Sequence, residues 1–228
     1  MTVEQTLPQP WRRRLFLPAY PIASAANYAQ TSRSNVSYWY YSKNKIGPAL
    51  RGKEKRVALS YLQLVEVAFV ATFRRLGFSL QSIRTARDYA AQALQAEFPF
   101  AQYRWLTEGS ELMLHLEEVA PETQAPDSLV IATAAGQTAW APAVRERFLE
   151  FDYDSGLAIQ WHVAGRESPV VIDPRVSFGA PIVNGVPTWA LKGRREAGES
   201  IREIAADFGI DEPLVIAALV FEGVETAA

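Results

Sequence analysis

Residues 21–41 read PIASAANYAQTSRSNVSYWYY, and the fold of the N-terminal half turns on them. Ile22, Ala25, Ala26 and Ala29 recur at intervals of three and four, the spacing that lines one face of an α-helix. Thr31-Ser32 interrupts the pattern with hydroxyls suited to capping a helix start. A second helix is then predicted over 32–41, with Val36 and Trp39 or Tyr40 turned inward. Two short helices joined by a turn of three or four residues make a helix-turn-helix. Such a second helix enters a DNA major groove with its polar first turns and holds to the core with its apolar end. Arg33, Ser34, Asn35 and Ser37 are therefore candidates for base edges, because guanidinium and amide groups pair bidentately with guanine and adenine.

The next stretch, SKNKIGPALRGKEKRVALS over 42–60, carries Lys43, Lys45, Arg51, Lys53, Lys55 and Arg56 against the single acid Glu54. Gly47-Pro48 and Gly52 punctuate it, so it reads as a wing laid along phosphate. These six cations position the chain on a duplex and carry little sequence information. The charge of the whole chain fits: residues 1–95 carry a net +10, the remainder −12, although the sum is only −2. A split of this kind points to nucleic-acid contact by the basic half.

An amphipathic helix is expected over 60–75, ended by Leu76-Gly77-Phe78-Ser79, with Ser79 capping another helix that runs to about 96. From 98 the pattern becomes strand-like: 98–106 and 111–116 around Glu108-Gly109, then 129–133 and 137–140 around Gly136. A helix is expected over 141–150 and a strand over 157–163 after Asp154-Ser155-Gly156, with 121–126 as the loosest loop. Strands at 170–172 and 182–183 follow, the latter entering Asn184-Gly185, a favoured two-residue hairpin turn. Helices over 188–197, 200–208 and 212–222 close the chain, the first two ended by Gly198 and Gly209. Ser200 and Glu203 make a capping box. Ile201, Ile204, Ala205 and Phe208 form one stripe, and Leu214, Val215, Ala218 and Leu219 another. The expected architecture is α+β, mainly α, in three parts: a winged helix-turn-helix over 1–97, a small β-containing middle module over 98–168, and a C-terminal trihelical domain with a β-hairpin over 169–228.

Composition narrows the chemistry. A hydrophobic share of 49% supports a buried core, and the lack of cysteine rules out disulfides, thiol nucleophiles and cysteine-held metals. No apolar run is long enough for a membrane span. Arg12, Arg13 and Arg14 precede only a short apolar stretch, which suits a mature cytoplasmic protein better than a signal peptide. Glu150, Asp152 and Asp154 crowd one turn, where acids are usually solvated, whereas metal nucleases gather carboxylates from distant positions. His115 and His162 are the only histidines, a thin basis for a metal cluster or a Ser–His pair. No catalytic residue, cofactor or metal ligand is expected. Trp39 and Trp189 are expected in the core, and Trp105, Trp140 and Trp161 on middle strands.

Two resemblances add to this reading. Tyr20-Pro21-Ile22, Val36 to Tyr40 and Leu76-Gly77-Phe78-Ser79-Leu80-Gln81-Ser82-Ile83 resemble the DNA-binding domain of MerR-type regulators. Ser37 stands where that family usually has arginine, and the family's long C-terminal coiled coil is missing. Asp173-Pro174, Phe178-Gly179-Ala180-Pro181, Gly185-Val186-Pro187-Thr188, Ala197-Gly198-Glu199-Ser200 and Glu203-Ile204-Ala205 resemble a small winged-helix domain of VapB-like antitoxins. With 59–66 (LSYLQLVE), the combination resembles a longer antitoxin subgroup. The resemblance implies a repressor that binds operator DNA and neutralises a PIN-like ribonuclease toxin, and a symmetric homodimer is expected to set the half-site spacing. Val215, Leu219, Val220 and Phe221 are the expected toxin contacts. Two rival readings are a ligand-sensing MerR-like regulator with an effector pocket in 98–165, and an adaptor that binds only protein.

Overall fold

A computed structural model describes residues 11–43, 47–103, 105–108, 111–115, 128–134, 137–140, 150–154 and 157–226. In chain order the helices are α1 (Trp11–Arg14), α2 (Ile22–Tyr28), α3 (Arg33–Tyr41), α4 (Tyr61–Arg75), α5 (Leu80–Ala93) and α6 (Pro99–Gln102). Among the described residues the strands are β1 (Trp105–Glu108), β2 (Glu111–His115), β3 (Ser128–Ile131), β4 (Gln137–Trp140), β5 (Phe151–Asp154), β6 (Leu157–Trp161), β7 (Val171–Ile172), β8 (Pro181–Val183) and β9 (Val186–Pro187). The chain ends with α7 (Thr188–Glu196), α8 (Ile201–Phe208) and α9 (Glu212–Phe221). The fold is α+β. Its two sheets run β1-β2-β3-β4 and β5-β6-β7-β8-β9.

The residues group into two compact units, one of 20–149 with 153–158, the other of 1–19 with 150–152 and 159–228. The boundary expected at 97/98 thus falls inside the larger unit. The expected helix over 141–150, loop over 121–126 and turn glycines Gly109, Gly136 and Gly156 lie outside the described residues, apart from Glu150.

In the larger unit α4 is the axis. Ser60 caps it with a full capping box: its hydroxyl accepts from the Gln63 N–H at 3.3 Å and its own N–H donates to Gln63 Oε1 at 2.9 Å. The sequence reads as an amphipathic helix, but every residue from Tyr61 to Ala71 is buried, as is Phe73. Helix α4 packs against α2, α5 and α6, so no face is left for solvent until Arg74 and Arg75. Phe69, Phe73, Phe78, Phe100 and Trp105 form one aromatic cluster, with Phe100 and Trp105 edge to face at 5.0 Å. Trp105 also donates its indole N–H to the Pro99 carbonyl at 3.0 Å.

Residues 98–106 are not one strand. Pro99 at the first position of α6 is preset for a helix, and Gln102 accepts from the Phe98 N–H at 2.9 Å, so a helical turn precedes β1. Helix α5 stops at Ala93, short of the expected 96, where Gln95 takes a left-handed backbone (φ 50°). Antiparallel β1 and β2 meet around residues 108–111, pairing Glu108 with Glu111, and β3 pairs with β4 from Ser128 opposite Trp140.

Strand β5 is one that the alternation did not reveal. It lies beside β6, and Phe151 stacks on Trp161 at 5.6 Å. Asn184 (φ 46°) and Gly185 (φ 81°) form the tight turn from β8 to β9. Helix α8 has the predicted capping box, and Gly209 closes it with φ 63°. Arg194 bridges Glu199 and Asp207, tying α7 to α8. Thr188 donates to Glu222 at 2.6 Å, tying α7 to α9. Trp189 is not core. Thr188 and Leu191 hold the inward positions of α7, and Trp189, one residue round the helix, faces solvent.

Candidate nucleic-acid interface

Helices α2 and α3 are two short helices joined by a tight turn, in the place where the sequence suggests a helix-turn-helix. The turn spans residues 29–32, and Gln30 supplies its left-handed step (φ 51°). Ser32 caps α3 by accepting from the Asn35 N–H at 3.0 Å. Val36, Trp39 and Tyr40 are buried, as predicted. Tyr40 donates its hydroxyl to the Gln63 carbonyl of α4 at 3.3 Å, which fixes the rotation of α3 on the core. Burial pushes the Tyr40 phenol well above its usual range, with the nearby Glu66 carboxylate adding to the effect, so it remains a donor.

That rotation turns Arg33, Ser34, Asn35 and Tyr38 outward and leaves Ser37 half exposed. The Asn35 amide donates to the Thr31 hydroxyl at 3.1 Å, so one of its groups already serves the turn. Arg33 makes no hydrogen bond or ion pair among the described residues and is exposed. Tyr38 was not singled out from the sequence. Its position one turn after Ser34, on the face opposite Val36, was the available signal.

Beside α3 lies a concavity of about 450 Å³, lined among others by Thr31, Asn35, Tyr38, Arg74, Arg75 and Leu80. Arg75 donates to the Ala29 carbonyl at 2.9 Å and to Thr72, clamping the end of α2 onto α4. Arg74 donates to the Phe78 carbonyl at 2.5 Å. Two guanidinium groups therefore stand at the rim of α3 by virtue of the α4 C-terminus, where cations also suit the helix dipole.

The loop over 42–60 sorts its cations into two groups. The described part, 47–58, contains no strand. Tyr20 and Leu59 make an isolated bridge, with N–H to O distances of 2.9 and 2.7 Å, which pins the end of this loop. Ala49 and Leu50 are buried, and Leu50 donates its N–H to the Trp39 carbonyl at 2.9 Å, stapling the loop to α3. Arg84 reaches from α5 to the Gly47 carbonyl at 2.7 Å and the Pro48 carbonyl at 3.1 Å. Gln63 holds the Gly52 carbonyl at 2.8 Å.

Within this frame Arg51 pairs with Asp88 at 3.0 Å, and Lys53 gives its ammonium to the Glu54 and Val57 carbonyls. Those two expected phosphate contacts are engaged within the chain. Lys43, Lys55 and Arg56 are exposed and make no hydrogen bond or ion pair among the described residues, and Lys45 lies outside them. Among the described residues, Arg33 and these three are the cations of the predicted set that make no hydrogen bond or ion pair.

Of the expected toxin contacts, Val215 and Leu219 are fully buried and pack in the core of the smaller unit. Val220 is exposed and Phe221 half exposed. Asp152 accepts from His162 at 2.9 Å and pairs with Arg166 at 2.7 Å. Burial pushes its carboxyl up, but the His162 and Arg166 hydrogen bonds outweigh that and hold it below its usual value. Among the described residues, no three of His, Asp and Glu are grouped to hold a metal ion. No helix among them is long and apolar enough to cross a membrane.

No protein-family model matches the chain. It is 25% identical over 218 residues, covering 86% of this chain and 90% of the relative, to a Mycobacterium tuberculosis protein named "Putative antitoxin VapB45". The crystal structure of Rv2018 from Mycobacterium tuberculosis has a similar fold, with a TM-score of 0.64 at 21% identity, across 90% of this chain and 99% of that one.

Proposed function

We propose that this chain is the antitoxin of a toxin–antitoxin pair, which binds operator DNA through α3 and the loop over 42–60 and neutralises a PIN-like ribonuclease toxin. The observation that carries DNA binding is the outward set of Arg33, Ser34, Tyr38, Lys43, Lys55 and Arg56 on one rigidly held helix and its stapled loop. Helix α3 would place Arg33, Ser34 and Ser37 at base edges, and the loop cations would lie along phosphate. A homodimer would then set the half-site spacing. The antitoxin part is supported by the name of the relative that this chain matches over most of both lengths.

The test has two readouts. The chain is co-expressed with the product of its adjacent gene, with growth and co-purification followed. Separately, its affinity for the DNA upstream of its own gene is measured by fluorescence anisotropy against a shuffled fragment. A neighbour that arrests growth alone, is rescued by this chain and co-purifies with it supports the antitoxin reading. A harmless neighbour refutes it. Equal affinity for the upstream and shuffled fragments refutes operator recognition by α3.

A further inference from the structure

Helix α9, with the sequence EPLVIAALVF, is apolar on almost every face, as a helix buried all round would be. Only half of it is covered. Val215, Ala218 and Leu219 are buried, while Ile216 and Val220, one turn apart on the opposite face, are exposed, Val220 by 61%. The flanks are acidic: Asp211 and Glu212 at one end and Glu225 at the other are exposed, whereas Asp207 and Glu222 are already paired with Arg194 and Lys192 of α7. The exposed apolar strip therefore fits a cationic, apolar partner segment.

The chain carries such a segment itself. The stretch WRRRLFL over 11–17 has two sides. Arg14 lies over the Phe178 ring at 4.7 Å and reaches the Arg175 carbonyl at 3.5 Å, and Leu15 is buried, so these two residues moor the arm to its own unit. Arg12 and Arg13 are exposed, as are Phe16 at 58% and Leu17 at 56%. The outward side is thus basic at one end and apolar at the other.

We infer that the outward face of α9 is covered by the 11–17 arm of a second copy of this chain, with Phe16 and Leu17 against Ile216 and Val220 and the Arg12–Arg13 pair near the acidic flank. Two α9 helices facing one another would oppose Glu212 to Glu212, or Glu212 to Glu225, and like charges at a rim are penalised. Exchange of arms about a two-fold axis makes the contact twice and closes the assembly as a dimer. This goes beyond DNA binding, because it concerns a surface remote in sequence from α3 and needs no DNA.

The experiment is size-exclusion chromatography with light scattering on the full chain from about 1 to 100 µM, at physiological salt and without DNA. The variants are Val220→Glu, Leu17→Glu, the reversal Arg12→Glu with Arg13→Glu, the reversal Glu212→Lys with Glu225→Lys, and the two reversals combined. Circular dichroism checks folding, and if Val220→Glu fails to fold, the arm variants still decide. The expected result is a dimer that either apolar variant turns into monomer. Each charge reversal alone should weaken the dimer about tenfold or more, and the combined reversal should restore it to within a few-fold. A monomer at all concentrations overturns the inference, as does a dimer that survives both apolar variants. So does a dimer lost with Val220→Glu but kept with Leu17→Glu, or a combined reversal that restores nothing. A chain that is monomeric alone and uses Val220 to hold the adjacent gene's toxin also overturns it.

Discussion

Removing two free loop cations should change the salt dependence of DNA binding, whereas removing an engaged one should not. Arg33, Lys43, Lys55 and Arg56 have no partner among the described residues, while Arg51 is paired with Asp88. If each free cation neutralises one phosphate, each contributes about 0.9 to the slope of log affinity against log salt. Four give a slope of about −3.6 per protomer, a loss of roughly 150-fold between 50 and 200 mM salt. The double variant Lys43→Gln with Lys55→Gln should bring the slope to about −1.8 and the loss to roughly 12-fold. Arg51→Gln breaks a solvated pair worth at most about 1 kcal/mol and should leave the slope within about 0.5 of wild type. The assay is anisotropy titration of the upstream fragment at five salt concentrations, with a homodimer doubling each slope. A double variant with the wild-type slope refutes the reasoning. So does Arg51→Gln lowering the slope as much as the double variant does.

Three further outcomes test the frame behind the interface. Glu66 is buried against Arg87 at 3.2 Å and accepts the Phe100 N–H at 2.7 Å, and burial pushes its carboxyl from 4.5 up to about 7 despite both partners. The folded chain then binds the extra proton between pH 4.5 and 7, so this contribution is full below 4.5 and is lost as pH rises through 7, by about 3 kcal/mol at most. Urea midpoints measured from pH 5 to 8 should fall for wild type and fall less for Glu66→Gln; parallel curves refute the shift. Ser60→Ala removes the capping box of α4 and should cost about 1 kcal/mol in urea unfolding. Leu219→Ala should cost about 2–5 kcal/mol, while Val220→Ala stays within about 0.5, and equal costs would contradict the inward and outward assignment of α9.

The helices were legible where capping and spacing agreed. Ser32, Ser79 and Ser200 each cap a helix at the position the sequence indicates, Ser60 caps α4 without having been singled out, and Val36 with Trp39 fixes the inward face of α3. Local signals of this kind need no tertiary partner. What they could not show is which side chains the tertiary structure uses. Lys53 and Lys55 are indistinguishable in sequence, yet Lys53 is spent on the carbonyls of its own loop and Lys55 is not. On α9 the stripe of Leu214, Val215, Ala218 and Leu219 named the inward face, with Val215, Ala218 and Leu219 buried, yet the expected toxin contacts drew on that same stripe. Two of the four expected toxin contacts were therefore assigned to a face that turns inward. Strand β5 was hidden because FDYD alternates an apolar with a charged residue over just four positions, and the acids drew a turn reading instead.

Helices α8 and α9, joined across Gly209, repeat the order of helix, short turn and helix seen in α2 and α3. The outward faces of the two second helices nevertheless differ in chemistry. On α3 that face holds Arg33, Ser34, Asn35 and Tyr38, next to free cations on the loop. On α9 it holds Glu212, Pro213, Ile216 and Val220. A phosphate backbone would meet carboxylates there, and base edges would meet aliphatic carbons that offer no hydrogen bonds in return. Each base contact would leave groove donors and acceptors desolvated and unpaired, at roughly 1–3 kcal/mol per group. The same face against protein would bury apolar area at a gain of about 25 cal/mol per Å². The shared outline of the two helix pairs is thus a matter of packing, and the sign and polarity of the outward residues are the physical ground for the proposal that the first meets nucleic acid and the second protein.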